Sequence, residues 1–366
     1  MAKELRGGYT TGACVAAGIK AAALFMQGST SDFVEINALD GTKLNIPIKN
    51  IEPAGAGIRV EVVKDAGDDP DITNGVSVFS TLVLDKSLDG IEFVAGEGVG
   101  TVTRVGLAVP PGEPAINPGP RQLVQQSLQE VFGSVPGCRV VIDVPGGAEL
   151  ARKTLNPILG IENGISIIGT TGVLKPMSEE AFKDSLVPQI SVALAAGYDT
   201  QIFVPGKIGE RIATQWGLPE KAMAQTSNFI GHMLEKAADM GVKRVLLFGH
   251  IGKLAKVAAG VFHTHNRVGD GRLETLAAYS GAAGMPPEGI RAILAAMTTE
   301  EAMPIIEKYQ LQSVYDTIAA RASLRAERLV FGGLKVGTVM VTLKGDLLGM
   351  DDTGRKIGGE LGWNIR

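Results

Sequence analysis

Short runs of alternating apolar and polar residues fill the first part of the chain: DFVEINAL, TKLNIPIKNI, GIRVEVV, VSVFSTLVL, GIEFVAG and GTVTRVGL. Their β-branched content and the Gly, Asn and Asp between them predict strands of a mostly antiparallel sheet. Two helical segments accompany them. TTGACVAAGIKAAALFMQG is Ala-rich, capped by Thr10 or Thr11 and closed by Gly28. GPRQLVQQSLQEVFG is amphipathic and is followed by a strand, CRVVIDVPGG. Residues 1–155 therefore read as an α+β domain.

From about Asn156 the pattern changes to short apolar runs alternating with longer helical ones. GISIIGTTG, DTQIFVPG, KRVLLFGH and VGTVMVTLKGDLLGM read as strands, the last as a strand or hairpin. SEEAFKDSLVPQISVALAAG, the stretch after DTQIFVPG through KAADMG, GKLAKVAAGVF and several later segments read as helices. Such alternation predicts an α/β domain over residues 156–366, Rossmann-like, with a mostly parallel sheet and right-handed crossovers. Ligands on such sheets lie beyond the carboxyl ends of the strands. Those ends carry GTTG, VPGKIGE and GHIGK, and one crevice is expected to gather them.

At 366 residues the chain exceeds one ordinary core, which agrees with two domains. No run of about 18 apolar residues indicates a membrane span, and MAKELRGGYTTG has no apolar signal core, so the expected location is cytoplasmic. Cys14 and Cys138 stand far apart, with neither disulfide nor metal-ligand spacing, and read as reduced. A net charge of −4 argues against nucleic acid as a partner; a polyanionic small molecule would need local clusters of Arg and Lys.

Chemistry concentrates in a few loops. KDAGDDPDITNG, from Lys64 to Gly75, packs Asp65, Asp68, Asp69 and Asp71 between two strands. Like charges at this density call for a cation, for basic partners, or for a role in a site, although the EF-hand spacing is missing. Asp65 and Asp68 are candidate bases and Lys64 a candidate anion contact. Gly169, Thr170, Thr171 and Gly172 allow a strand to turn sharply and expose N–H groups; a cofactor loop and a tight structural turn explain them about equally. Their place at the first strand end of the α/β half favours a nucleoside-type cofactor, joined by Gly249 and His250 at a later strand end. FHTHNRVGDGR carries His263, His265, Arg267 and Arg272. The two histidines are candidate acid–base groups, with mutual bracing of the loop as the alternative, and no third ligand makes them a metal site. Arg267 and Arg272 suit carboxylates, as do Arg6, Arg121 and Lys253. Thr10 and Thr11 at a helix start offer either an anion seat or a plain cap.

Taken together, LRGGYTTGACVAAGIKAA, VKDAGDDPDITNG, NPGPRQ, NGISIIGTTGVLKPMSEEA and GHIGKLAKVAAGVFHTHNRVGDGR resemble the CbiD-type cobalt-precorrin-5B (C-1)-methyltransferases, in the family's order from Leu5 to Arg272. The tail after about Met285 matches loosely. The resemblance implies transfer of a methyl group from S-adenosyl-L-methionine to C-1 of cobalt-precorrin-5B, giving cobalt-precorrin-6A, with cobalt present only as part of the tetrapyrrole substrate. It also implies an α+β domain, taken here as the tetrapyrrole-binding candidate, followed by an α/β domain, taken as the S-adenosyl-L-methionine-binding candidate. A non-catalytic corrinoid-binding protein and a nicotinamide-dependent oxidoreductase of the same pathway are the rival readings. An oligomer is compatible with the sequence and not derivable from it.

Overall fold

The computed structural model describes residues 5–364, so the first four residues of the stretch read above for a signal core lie outside it. It shows mixed α/β structure in two compact units, one ending at Glu179 and the other beginning at Glu180.

In the first unit a five-stranded sheet runs in the order Asn50–Ala54, Gly57–Val63, Ser77–Leu84, Cys138–Asp143, Ile91–Ala95. All its pairings are antiparallel except that of Ile91–Ala95 with Cys138–Asp143. A separate hairpin joins Phe33–Asn37 to Lys43–Pro47. The helix Thr11–Met26 lies against the sheet and against the helix Pro118–Phe132. Its Ala-rich sequence explains that place: small side chains let a helix sit close to neighbours on several sides, and Thr11 to Ile19 are all buried. The Thr10 hydroxyl caps it by accepting from Ala13 N, and the chain leaves it through Gly28 at φ 82°.

In the second unit the sheet order is Met223–Gln225, Thr200–Val204, Arg244–His250, Lys335–Val341, Leu347–Met350. The first four strands are parallel and the last is antiparallel. Thr200–Val204 is buried at every position, as a central parallel strand covered on both faces should be. Ile202, Val204, Leu246, Phe248, Val339 and Val341 form a core with Ile212 and Ile357 from the helices Lys207–Gln215 and Asp352–Glu360. The helices Ile251–Ala258 and Val314–Leu329 also pack on the central strands.

Three sequence expectations need correction. GISIIGTTG is not the first strand of the α/β half. Ile165 and Ile167 make only isolated bridges to Val99 and Ile116, so the segment is woven into the first unit, which runs past residue 155 to Glu179. The long helix from Ser178 is two helices, Glu179–Leu186 and Pro188–Ala195, because Pro188 can start a helix and cannot continue one. Met223–Gln225, read as helical, is the sheet's edge strand.

Candidate functional site

The acidic loop closes on the protein itself. Arg6 donates to both carboxylate oxygens of Asp65, at 2.5 and 2.8 Å, and its backbone N–H donates to Asp68 at 2.8 Å. Asp69 accepts from Met177 N at 2.8 Å. Asp71 accepts from the Lys64 ammonium at 2.6 Å and from the N–H and hydroxyl of Thr73. Gly67 completes the clasp: at φ 65°, a Cβ there would fall 2.1 Å from Arg6 O. The Arg6 hydrogen bond holds the Asp65 carboxyl below the usual range against burial. Burial raises the Asp71 carboxyl, but bonds from Lys64 and Thr73 outweigh it, so its net shift is downward. Asp65 and Asp68, read as candidate bases, are thus committed to the N-terminal segment. Lys64, read as an anion contact, is 1% exposed and faces Asp71.

The GTTG turn belongs to the same assembly. Thr10 N donates to Gly172 O, Gly12 N to Ile168 O, and the Thr11 hydroxyl accepts from Ile168 N at 3.0 Å. Gly169 has φ 141°, and a Cβ there would lie 2.2 Å from Thr10 Oγ1. The close approach that calls for glycine is therefore to the start of the Thr11–Met26 helix. Thr171 O accepts from Leu39 N and its hydroxyl from Val173 N. Thr10 and Thr11 are both buried, serving as cap and clamp, and Gly12 N and Ala13 N already have acceptors. The anion-seat reading is corrected accordingly. Residues 169–172 lie in the first unit and Gly249 and His250 in the second, so the expected cofactor set is divided between units.

A cavity of about 590 Å³ lies in the first unit, lined by Arg121, Gln122, Gln125, Gln126 and Gln129 along one helix face and by Ala108, Val109 and Pro110. Arg121 donates to Ile116 O at 2.9 Å, pairs with Glu113 at 3.4 Å and lies 5.0 Å from the Phe93 ring centre.

The second unit brings the remaining candidates together. A cavity of about 810 Å³ opens beyond the carboxyl end of the strand Arg244–His250. His250, Lys253, His265, Arg267 and Arg272 line it, with Asn228, Thr264, Asn266, Thr298, Thr299, Glu300 and Leu343. His250 caps the helix Ile251–Ala258. Its Nδ1 accepts from Gly252 N at 3.1 Å, and Nε2 lies 2.8 Å from Glu300 Oε1. With Nδ1 taken as acceptor, the neutral ring carries its proton on Nε2 and donates it to Glu300. Gly249 sits one residue back in the strand, paired with Met340. The Lys253 ammonium donates to Pro205 O at 2.6 Å and Ser227 O at 3.2 Å, tying together the loops that follow two neighbouring strands. Burial first, then Lys256, lowers its pKa. Ser227 holds φ 52°, an uncommon conformation for serine, and its carbonyl is one of the two that meet this ammonium.

Lys256, which sequence reasoning missed, organises the histidine loop. It is 1% exposed and donates to Asn266 Oδ1 at 2.6 Å, Gly269 O at 3.0 Å and Thr264 O at 3.2 Å. Burial lowers its pKa. With the loop pinned from beneath, His265 accepts from Arg267 N at its own Nδ1. The Arg267 guanidinium makes no hydrogen bond or ion pair among the described residues. Arg272 Nε lies 3.3 Å from Asp270 but off the hydrogen-bond direction. His263 is not among the residues lining the cavity; its ring lies 4.8 Å from Phe229 and 6.5 Å from the ring of His265, centre to centre. The Thr264 hydroxyl is buried and has no hydrogen-bond partner among the described residues. Glu300 was missed as well. It stands in TTEEAMP, where Thr298 caps a helix by accepting from Glu301 N, so the pattern reads as a plain helix start. Among the described residues no three His, Cys, Asp or Glu side chains gather to hold a metal ion.

A polar, cation-rich cavity beyond the carboxyl end of a parallel strand has the lining chemistry to suit an anionic or zwitterionic small molecule. The chain belongs to the CbiD family: residues 1–176 match the CbiD model and residues 263–352 that of the CbiD C-terminal domain. It is 48% identical to the cobalt-precorrin-5B C(1)-methyltransferase of Moorella thermoacetica over the whole of both chains. It is 46% identical to that of Methanocaldococcus jannaschii, covering 95% of this chain and 96% of the other. A solved cobalamin biosynthesis protein (cbiD) from Archaeoglobus fulgidus aligns at 24% identity and TM-score 0.38, over 72% of this chain and 83% of that one. The family recognised in the sequence, and the methyltransferase activity it implies, agree with these relatives. Among the described residues no helix is long and apolar enough to cross a membrane.

Proposed function

We propose that this protein methylates C-1 of cobalt-precorrin-5B to give cobalt-precorrin-6A, with S-adenosyl-L-methionine as donor, in anaerobic cobalamin biosynthesis, and that the donor binds in the cavity of the second unit. The observation that carries the placement is the cavity's position beyond the carboxyl end of a parallel strand, where such sheets bind ligands. About 810 Å³ suits a nucleoside-sized molecule. The lining fits the chemistry. Arg267 presents an uncommitted guanidinium to a carboxylate, and the buried Thr264 hydroxyl lacks a partner that a ribose hydroxyl would supply. The Rossmann-like description of this unit rests on the same parallel strands.

The bound donor supplies an electrophilic methyl group. A bond forms between that carbon and C-1, the sulfur–carbon bond breaks, and its electron pair stays on sulfur as the thioether. The protein's part is to orient and to exclude water, and orientation alone contributes ~7–11 kcal/mol to such reactions. Arg272 beside Asp270 is the proposed contact for a substrate carboxylate. His265, whose ring is set by Arg267 N–H, is the histidine of the pair proposed to touch substrate. The reading keeps the protein in the cytoplasm, where buried free thiols such as Cys14 and Cys138 stay reduced.

Calorimetry with S-adenosyl-L-homocysteine, followed by transfer of labelled methyl to cobalt-precorrin-5B, tests the proposal. Binding and transfer are expected. A corrinoid carrier would take the tetrapyrrole and ignore the donor, and an oxidoreductase would bind nicotinamide instead.

A further inference from the structure

The cavity of the second unit has one sign of charge almost throughout. Lys253, Arg267 and Arg272 line it, and Glu300 is the one carboxylate among its lining residues. S-adenosyl-L-methionine carries a sulfonium; Asp270 offsets Arg272 from outside the lining, but Lys253 and Arg267 repel a further cation unless a carboxylate stands among them. From this juxtaposition we infer that Glu300 is the residue that receives the donor's sulfonium end and lets the site distinguish charged donor from neutral product. The inference rests on the placement of the donor proposed above.

The carboxylate is held for that task. Its Oε1 accepts from His250 Nε2 at 2.8 Å and from Leu343 N at 3.4 Å. Its Oε2 has no hydrogen-bond partner among the described residues. Glu300 lies in the first turn of the helix Thr299–Lys308, so rigid elements carry both the acid and its histidine. His250 is a positioning residue: Gly252 N fixes one ring nitrogen, and the other aims the carboxylate. Once the methyl group has left, sulfur is neutral and this attraction ends. The contact therefore favours release of the thioether and exchange for fresh donor, and because it is made before the transition state it acts on binding more than on the chemical step.

Calorimetry of the full-length protein with three probes tests the assignment: S-adenosyl-L-methionine, S-adenosyl-L-homocysteine, and sinefungin, which bears a protonated amine in place of the sulfonium. In Glu300→Gln, affinity for the two cationic probes should fall about tenfold, the scale of one charge-assisted contact, with the thioether changed less than about twofold. The donor KM should rise in step and kcat stay within a few fold. His250→Asn, which keeps a capping side chain and removes the Nε2 donor, should shift the same ratio in the same direction by less. Equal losses for all three probes, or no loss, would overturn the assignment while leaving the donor site in place. Binding of none of the three by the unsubstituted protein would overturn the donor site and this assignment with it.

Discussion

Each unit contains a charged loop pinned by a fully buried lysine, and the two lysines spend their ammonium groups differently. Lys64 meets a side chain of its own loop, the carboxylate of Asp71, and the other aspartates are bonded to Arg6 and Met177. Lys256 donates to two backbone carbonyls and the Asn266 amide oxygen, with the Asp270 carboxylate farther off at 3.8 Å, so the loop's histidines and arginines are not tied up in holding it. His265 and Arg267 remain for the cavity. Charge density marks both segments as special. What separates a clasp from a binding loop is where the partners of those charges lie.

The largest expected effect breaks the clasp. Asp71→Asn leaves the Lys64 ammonium buried without a carboxylate, and removing one member of a buried pair costs about 3–5 kcal/mol. Denaturant unfolding should show that loss, while calorimetry of the folded variant shows unchanged donor affinity. A matching loss of affinity would make the acidic loop part of the site and erase the contrast. Lys256→Met strips three oxygens of their donor and should cost about 1–3 kcal/mol, less than their sum because water reaches the outer ones. Here donor affinity should fall too, because the ordered loop is the binding surface.

The fold was legible where pattern and punctuation agreed. The helix Thr11–Met26, its Thr10 cap and Gly28 exit, and strands such as Gly57–Val63 and Thr200–Val204 fall where alternation and capping residues put them. GISIIGTTG misled because a short apolar run with glycines looks alike as a sheet strand or as a segment bridged to a loop, and only the partners at Val99 and Ile116 decide. Of the cavity, His250, Lys253, His265, Arg267 and Arg272 were visible as polar residues at a strand end or in a charged loop. Glu300 was not, since 50 residues separate it from His250 and its neighbours spell a helix cap. Lys256 was hidden by an ordinary helical sequence whose one buried cation shows only in three dimensions.

A smaller effect separates binding from chemistry within the second loop. Arg267→Ala should raise the KM of its ligand about tenfold and leave kcat within about twofold, because a carboxylate contact is present in both ground and transition states. Steady-state kinetics with each substrate varied in turn identifies which one Arg267 holds. A fall in kcat at unchanged KM would move it from binding to the reacting atoms.

The pH dependence of stability should separate the clasp from the ammonium at the strand ends by range. In the folded protein Asp71 is shifted below its ordinary value, so between that value and the unfolded one near ~3.9 the unfolded chain binds more protons. The contribution of the pair is thus complete above about pH 4 and lost as pH falls through the folded value. The stability gap between the unsubstituted protein and Asp71→Asn should be flat from neutrality down to about pH 5 and close below about pH 4. Lys253 is also shifted downward, by burial and then by Lys256, but for an amine this places the cost at lower pH. The folded protein sheds that proton before the unfolded chain does at about 10.4, so stability relative to Lys253→Met should rise as pH climbs toward that value. Denaturant midpoints of both variants across the acid and alkaline ranges check the two signs together. A gap that closes in acid for both substitutions would show that the ammonium at the strand ends is balanced by a carboxylate after all.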